Sequence, residues 1–169
     1  AFPYNGGTTT MEAIWQGVAS CLREVRAQCP DDDVVAIGLT GQGDGAWLVD
    51  EAGVPTRPAA TWLDGRAASR VNEWVSSGKA DKVLETSGTT VFGGLFPVLY
   101  EEFKETDPDV IARSATHLYC KDWLRYRLTG ERLTDYTEAS RTFLNVSTME
   151  YSQDMAEALG MPDALRLLP

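Results

Sequence analysis

The sequence predicts an α/β domain, a mixed sheet with flanking helices, on three observations. Residues 10–29 carry an apolar stripe at helical spacing, residues 34–39 form an unbroken apolar run, and the second half reads as mainly helical. In the stripe, Met11, Ile14, Trp15, Val18, Leu22, Val25 and Cys29 share one face. Thr10 stands where a helix cap belongs, and Pro30 with Asp31-Asp32-Asp33 ends the helix. Three consecutive carboxylates cannot all converge on one ion, so the triplet reads as a solvated turn.

Val34-Val35-Ala36-Ile37-Gly38-Leu39 lacks the alternation of a half-buried strand and predicts one covered on both faces. A glycine-punctuated loop, Thr40-Gly41-Gln42-Gly43-Asp44-Gly45, leaves its end. Strands are expected over 46–50 and 58–63, and a helix over 64–77 with Ala67, Val71, Trp74 and Val75 on one side. Pro97 opens a helix that turns Val98, Leu99 and Phe103 inward. His117–Thr129 reads as a helix with Cys120, Trp123, Leu124 and Leu128 in register and Gly130 as its stop. A short strand over 142–146 and a helix over 152–159 complete the pattern. An apolar strand at 34–39 needs neighbours on both edges, since an open apolar edge invites aggregation. A second copy of the chain, as a homodimer, or the rest of a longer protein would supply them; the longer protein is the expectation.

Composition narrows the function. Hydrophobic residues make up 43% and charged residues 24% of 169, the profile of a globular domain. The formal charge is −10, and residues 1–85 and 86–169 carry −5 each. Such a chain repels phosphate backbones, which argues against nucleic acid, and leaves neutral small molecules open. No apolar stretch is long enough to span a membrane, and residues 1–7 lack the pattern of a secretory leader. Cys21, Cys29 and Cys120 have no metal-ligand spacing and read as thiols of a reducing cytoplasm. Asn145-Val146-Ser147 then matches a glycosylation triplet by chance. No metal site is expected.

Two segments carry the candidate chemistry. In the 40–45 loop the glycines let backbone approach a ligand, and Gln42 and Asp44 supply its polar reach. In Trp62-Leu63-Asp64-Gly65-Arg66, an indole face beside a carboxylate suits a polyhydroxy compound, whose C–H surface packs on the ring while its hydroxyls donate to the acid. The plainer role of Asp64 is a helix cap paired with Arg66. Asp44 and Asp64 as the acid/base pair of a glycoside hydrolase is a weaker alternative. Lys121, Arg125, Arg127 and Arg132 are interleaved with Asp122 and Glu131 and read as a solvated face rather than a phosphate site. His117 has no nucleophile signature beside it and reads as structural.

Residues 37–45, the segment 62–66, and Leu128-Thr129-Gly130-Glu131 with Thr134-Asp135-Tyr136-Thr137-Glu138-Ala139-Ser140-Arg141-Thr142 together resemble the FGGY carbohydrate kinases. These include the glycerol, xylulose, ribulose and erythritol kinases. The likeness runs in order from about Trp15 to Pro169, and Gln42-Gly43-Asp44-Gly45 looks most like the erythritol and related polyol branch. It implies a ribonuclease-H-like, actin-like ATPase fold of two lobes, of which this chain is a single partial domain covering the central and C-terminal part of the first. The phosphate-loop strands, the Asp that serves as base, and the second lobe are not matched. On this resemblance the segment forms one wall of the sugar site of an ATP-dependent kinase that also uses Mg2+, and is inactive by itself.

The resemblance makes Gln42, Gly43, Asp44, Trp62 and Asp64 the substrate-binding residues and gives this chain no catalytic residue. Gly43 stands where glycerol kinases have Arg, Thr8 and Thr10 where the family often has an acidic pair, and Gly93-Gly94 near a substrate-contacting Tyr of glycerol kinases. Those departures argue against glycerol itself. The competing reading is a non-catalytic sugar-binding or regulatory domain.

Overall fold

The computed structural model describes residues 7–169, and the leader reading of residues 1–6 falls outside them. Helix α1 spans Met11–Gln28, but its apolar stripe is buried only toward the start, at Met11 and Ile14 with Trp15 and Val18 partly covered, whereas Val25 and Cys29 are exposed; the Thr10 side chain makes no capping bond. The strands are short: β1 (Thr8–Thr9), β2 (Trp47–Val49), β3 (Ala59–Ala60) and β4 (Thr116–Leu118). β1 pairs with β3, and β2 with β4, both antiparallel, while a bridge between Ala46 and Ala60 links the two ribbons. β3 is shorter than the 58–63 expectation because Pro58 has no N–H to give and the chain turns at Asp64 N to Thr61 O, 2.9 Å.

The β2–β4 ribbon separates two cores, and β2 is buried on both faces. Trp47 and Val49 pack with Met11, Ile14, Leu118, Trp123 and Leu124 beneath α1 and α6 (Cys120–Thr129). Leu48 points the other way, into a larger core with Trp74, Phe96, Leu99 and Phe103. That core lies under α2 (Ala68–Ser76), α3 (Lys79–Ser87), α4 (Phe96–Thr106) and α5 (Pro108–Arg113). Helix α7 (Tyr136–Ala139), the hairpin of β5 (Leu144–Asn145) and β6 (Glu150–Tyr151), α8 (Gln153–Ala158) and a 3-10 turn at Pro162–Leu167 close the chain.

Several expectations change. Residues 34–39 form no strand; Val34 and Val35 are 66% and 94% exposed. Among the described residues no strand pairs with this segment. An apolar run without a partner edge has no ladder to join. Every strand pair among the described residues is antiparallel. His117 belongs to β4 rather than to a helix, Val75 and Leu128 are exposed, and helix α2 begins after Asp64. Helix α3 was not foreseen, since its inner face is Val83, Thr86 and Ser87 and shows no apolar period.

Candidate functional site

The 40–45 loop ends in two unusual backbone positions. Asp44 has φ 59° and Gly45 φ 90°, both left-handed. Asp tolerates that region better than most residues, and a strained residue aimed at a ligand is a recurring feature of binding loops. Gly45 N donates to Gly94 O at 2.8 Å, and His117 Nε2 lies 3.3 Å from Gly45 O. The loop is therefore bolted to β4 and to the turn before α4.

Asp44 is gripped from the far end of the chain. Arg141 Nε and Nη2 donate to its two oxygens at 2.8 and 3.0 Å, a bidentate pair. The third guanidinium nitrogen, Nη1, donates to Thr89 Oγ1, and the guanidinium stands 5.6 Å above the Phe92 ring. The hydrogen bond that Arg141 donates to Asp44 raises the Arg141 pKa further. Each Asp44 oxygen keeps a lone pair that Arg141 does not use.

Beneath this pair the environment is polar and buried. Tyr119 is 1% exposed, and its hydroxyl has no hydrogen-bond partner. Burial, then the charges of Asp44 and Glu138, push its pKa well up. Gln42 Oε1 is likewise buried without a partner, and burial pushes the Cys120 thiol to about 11. Lys121, read as part of a solvated face, instead holds three carboxylates: Asp135 at 2.6 Å, Asp122 at 3.4 Å and Glu138 at 3.5 Å. Burial lowers the Lys121 pKa, but those acids outweigh it and the net direction is up. Four carboxylates and two cations thus surround the loop, a setting that favours neutral hydroxyl donors over anions.

The second segment meets the first through backbone. A side chain at Gly94 would collide with Trp62 O, and Gly94 O accepts from Gly45 N, so the two motifs touch at Gly94. The Trp62 indole is half exposed. Asp64 is buried rather than a helix cap: Oδ1 takes Arg66 Nε at 2.8 Å and Arg66 N at 3.1 Å, while Oδ2 has no partner. Asp44 and Asp64 are each tied to a separate arginine, which suits holding a ligand better than shuttling a proton. The structure also gathers Thr89, Tyr119, Glu138 and Arg141, which sequence reasoning did not name as site residues. Arg141 and Glu138 lie inside the 134–142 motif, and that was the available signal.

Comparison with known proteins now has a geometry to attach to. The chain is 37% identical to the erythritol kinase of Brucella abortus (strain 2308) over 164 residues, 96% of this chain and 32% of that protein. It is 29% identical to a probable L-xylulose kinase of Pasteurella multocida (strain Pm70), covering 94% of this chain and 34% of that one. Among solved structures, the xylulose kinase of Rhodospirillum rubrum superposes with TM-score 0.86 at 22% identity, over 100% of this chain and 36% of that one. A gluconate kinase of Lactobacillus acidophilus gives 0.88 at 21%, over 99% and 34%. These structures share the fold, that of the actin-like sugar kinases, and the chain spans about a third of the length of its relatives. Residues 7–169 match the FGGY family of carbohydrate kinases, N-terminal domain, and the chain belongs to that family.

Proposed function

We propose that this chain forms one wall of the substrate site of an ATP-dependent carbohydrate kinase acting on a neutral polyol or sugar. It is the central and C-terminal part of the first lobe, and the rest of the kinase chain completes the enzyme. The observation that carries the reading is Asp44, a carboxylate in left-handed backbone whose two oxygens are oriented by Arg141 and each keep a lone pair that Arg141 does not use. In this reading Gln42, Gly43, Asp64 and the half-exposed indole of Trp62 contribute to the same wall. The 37% identity to an erythritol kinase favours a polyol over a phosphorylated or acidic sugar, as does the excess of carboxylates.

In this reading the chain contributes positioning. Asp44 accepts hydroxyl hydrogens and Trp62 packs against C–H surface, so that one terminal hydroxyl is presented for phosphoryl transfer. The residues described here do not themselves fit ATP and Mg2+. The half-buried Lys121 is surrounded by Asp122, Asp135 and Glu138, which a triphosphate would meet as like charges. No group of three or more His, Cys, Asp or Glu among the described residues is arranged to hold a metal ion. The nucleotide, its metal and the proton-accepting base are assigned to the remainder of the kinase. The free thiols of Cys21, Cys29 and Cys120 suit a reducing cytoplasm.

In the full-length kinase, Asp44→Ala is expected to raise KM for the polyol by roughly 10- to 150-fold, the value of a charged hydrogen bond at ~1.5–3 kcal/mol. KM for ATP should change little. An unchanged polyol KM removes Asp44 from the site. The chain alone, given ATP, Mg2+ and a panel of polyols, is expected to release no ADP above background. Calorimetry on the same sample separates a kinase segment from a free-standing sugar-binding domain, which alone would bind a polyol tightly by itself.

A further inference from the structure

The 40–45 loop faces a second carboxylate for which the substrate reading has no use. Glu138 is 6% exposed, and Oε1 lies 3.5 Å from Lys121 Nζ, its one ion-pair partner among the described residues. Its backbone N–H is taken by Asp135 Oδ1 at 3.1 Å, so the side chain is not spent on capping α7. A Cβ placed on Gly43 would stand 3.5 Å from one Glu138 oxygen and 3.6 Å from the other. That is ordinary contact, which alanine could make, whereas any longer side chain would lie across the carboxylate.

Gly43 is not among the glycines with positive φ, so the backbone does not demand glycine there. What glycine provides is the missing side chain, so that the buried Glu138 carboxylate faces the loop with no loop side chain laid over it. An independent observation points to a ligand at the same place. The Tyr119 hydroxyl, buried without a hydrogen-bond partner, lies in the electrostatic reach of both Asp44 and Glu138. Gln42 Oε1, in the loop itself, is a second buried orphan. Unpaired buried polar atoms are uncommon and costly, and here they comprise a donor and an acceptor. A hydroxyl, which both donates and accepts, answers both.

We propose that Glu138 is a second substrate-binding carboxylate, facing the loop at Gly43, and that it selects linear polyols of four or more carbons. This inference rests on the reading of Asp44 as a substrate ligand. The counting is simple: one terminal hydroxyl is phosphorylated, and two neighbouring hydroxyls occupy the lone pairs left on the two Asp44 oxygens. A fourth hydroxyl is then needed to reach Glu138. A three-carbon polyol has none to offer.

The test uses the full-length kinase with glycerol, erythritol and ribitol as probes. Glu138→Gln keeps the shape and removes the charge; Gly43→Met leaves the charge and covers it. Both are expected to raise KM for erythritol and ribitol about tenfold or more and KM for glycerol several-fold less than that, while KM for ATP stays within about twofold. Equal KM changes for all three polyols, or none, overturn the proposal. If one variant fails to fold, as judged by its melting curve, the other still decides. Asp44→Ala run in parallel separates the two readings: a large Asp44 effect without a length-selective Glu138 effect sinks only this proposal. No turnover of any of the three polyols by the unmutated kinase sinks this proposal, and sinks the Asp44 reading too only if neutral sugars are not phosphorylated either.

Discussion

Replacing Gly45 with alanine is expected to cost the chain roughly 2–5 kcal/mol of stability, a large share of the 5–15 kcal/mol typical of a domain. Two effects add. At φ 90° an L-residue is strained, and the new Cβ would fall well inside the carbonyl oxygen of Ala60 and 3.1 Å from the Thr61 Cα. Both obstacles are backbone, and the strands that hold them, β3 and β1, are registered residue by residue through Thr8 with Ala60 and Thr9 with Ala59. Neither can yield without pulling on the other. Relief would have to come from the loop, which would lose the Gly45–Gly94 bond and tilt Asp44 away from Arg141. Urea unfolding of the two proteins measures the effect, with Gly43→Ala as the control expected to lie within about 1 kcal/mol of the parent, since its Cβ meets only ordinary contact. A Gly45→Ala protein with an unchanged midpoint would mean that the loop is far more pliant than this packing implies.

The same loop shows what could be read from sequence and what could not. Its glycines and its lone carboxylate are local features, and local features survive in a linear reading. So does the first half of the α1 stripe, and so do Val98, Leu99 and Phe103, which all turn inward in α4. Arg141 is different. It stands 97 positions from Asp44, and nothing in either neighbourhood announces the pair. Likewise Thr89 looks like any loop threonine until Arg141 reaches it. Ion pairs between distant segments are set by the fold, so a single sequence hides them even where it reveals each partner.

Residues 34–39 fail for a related reason. An apolar run is evidence of what a segment would bury, not of what is available to cover it. Here no strand among the described residues pairs with the run, and Val34, Val35 and Ile37 stay exposed. Ile37 and Leu39 line a cavity of about 610 Å³ together with Lys121, Asp122, Arg125 and Leu128. Helix α3 shows the converse. Thr86 and Ser87 are buried, with the Ser87 hydroxyl satisfied by Val83 O at 2.9 Å, so an inner face can be polar when its hydrogen bonds stay within the helix.

Acid is expected to weaken the fold through one residue, and the size of the effect follows from the chain's single histidine. His117 is 1% exposed, stacked on Phe96 at 3.6 Å and edge-on to Tyr119 at 4.7 Å. Burial pushes its pKa down from 6.5 to about 3, only partly opposed by the bond to Gly45 O. Below pH 6.5 the unfolded chain takes up a proton that the folded protein refuses until near pH 3. The contribution to stability is therefore fully present above pH 6.5 and is lost as pH falls. Between pH 6.5 and 5 that amounts to about 2 kcal/mol, at ~1.4 kcal/mol per pH unit. Glu138 works in the opposite sense, because burial raises its pKa and the folded state holds that proton more readily. Its effect is common to any pair of proteins that differ only at position 117. The comparison is thus the parent against His117→Leu, by urea midpoints at several pH values. The variant is expected to be weaker at pH 7, having lost the bond to Gly45, yet to lose about 2 kcal/mol less than the parent between pH 6.5 and 5. Identical slopes would show that the imidazole is protonated inside the fold, and with it that the floor under the Asp44 loop is wetter than its packing indicates.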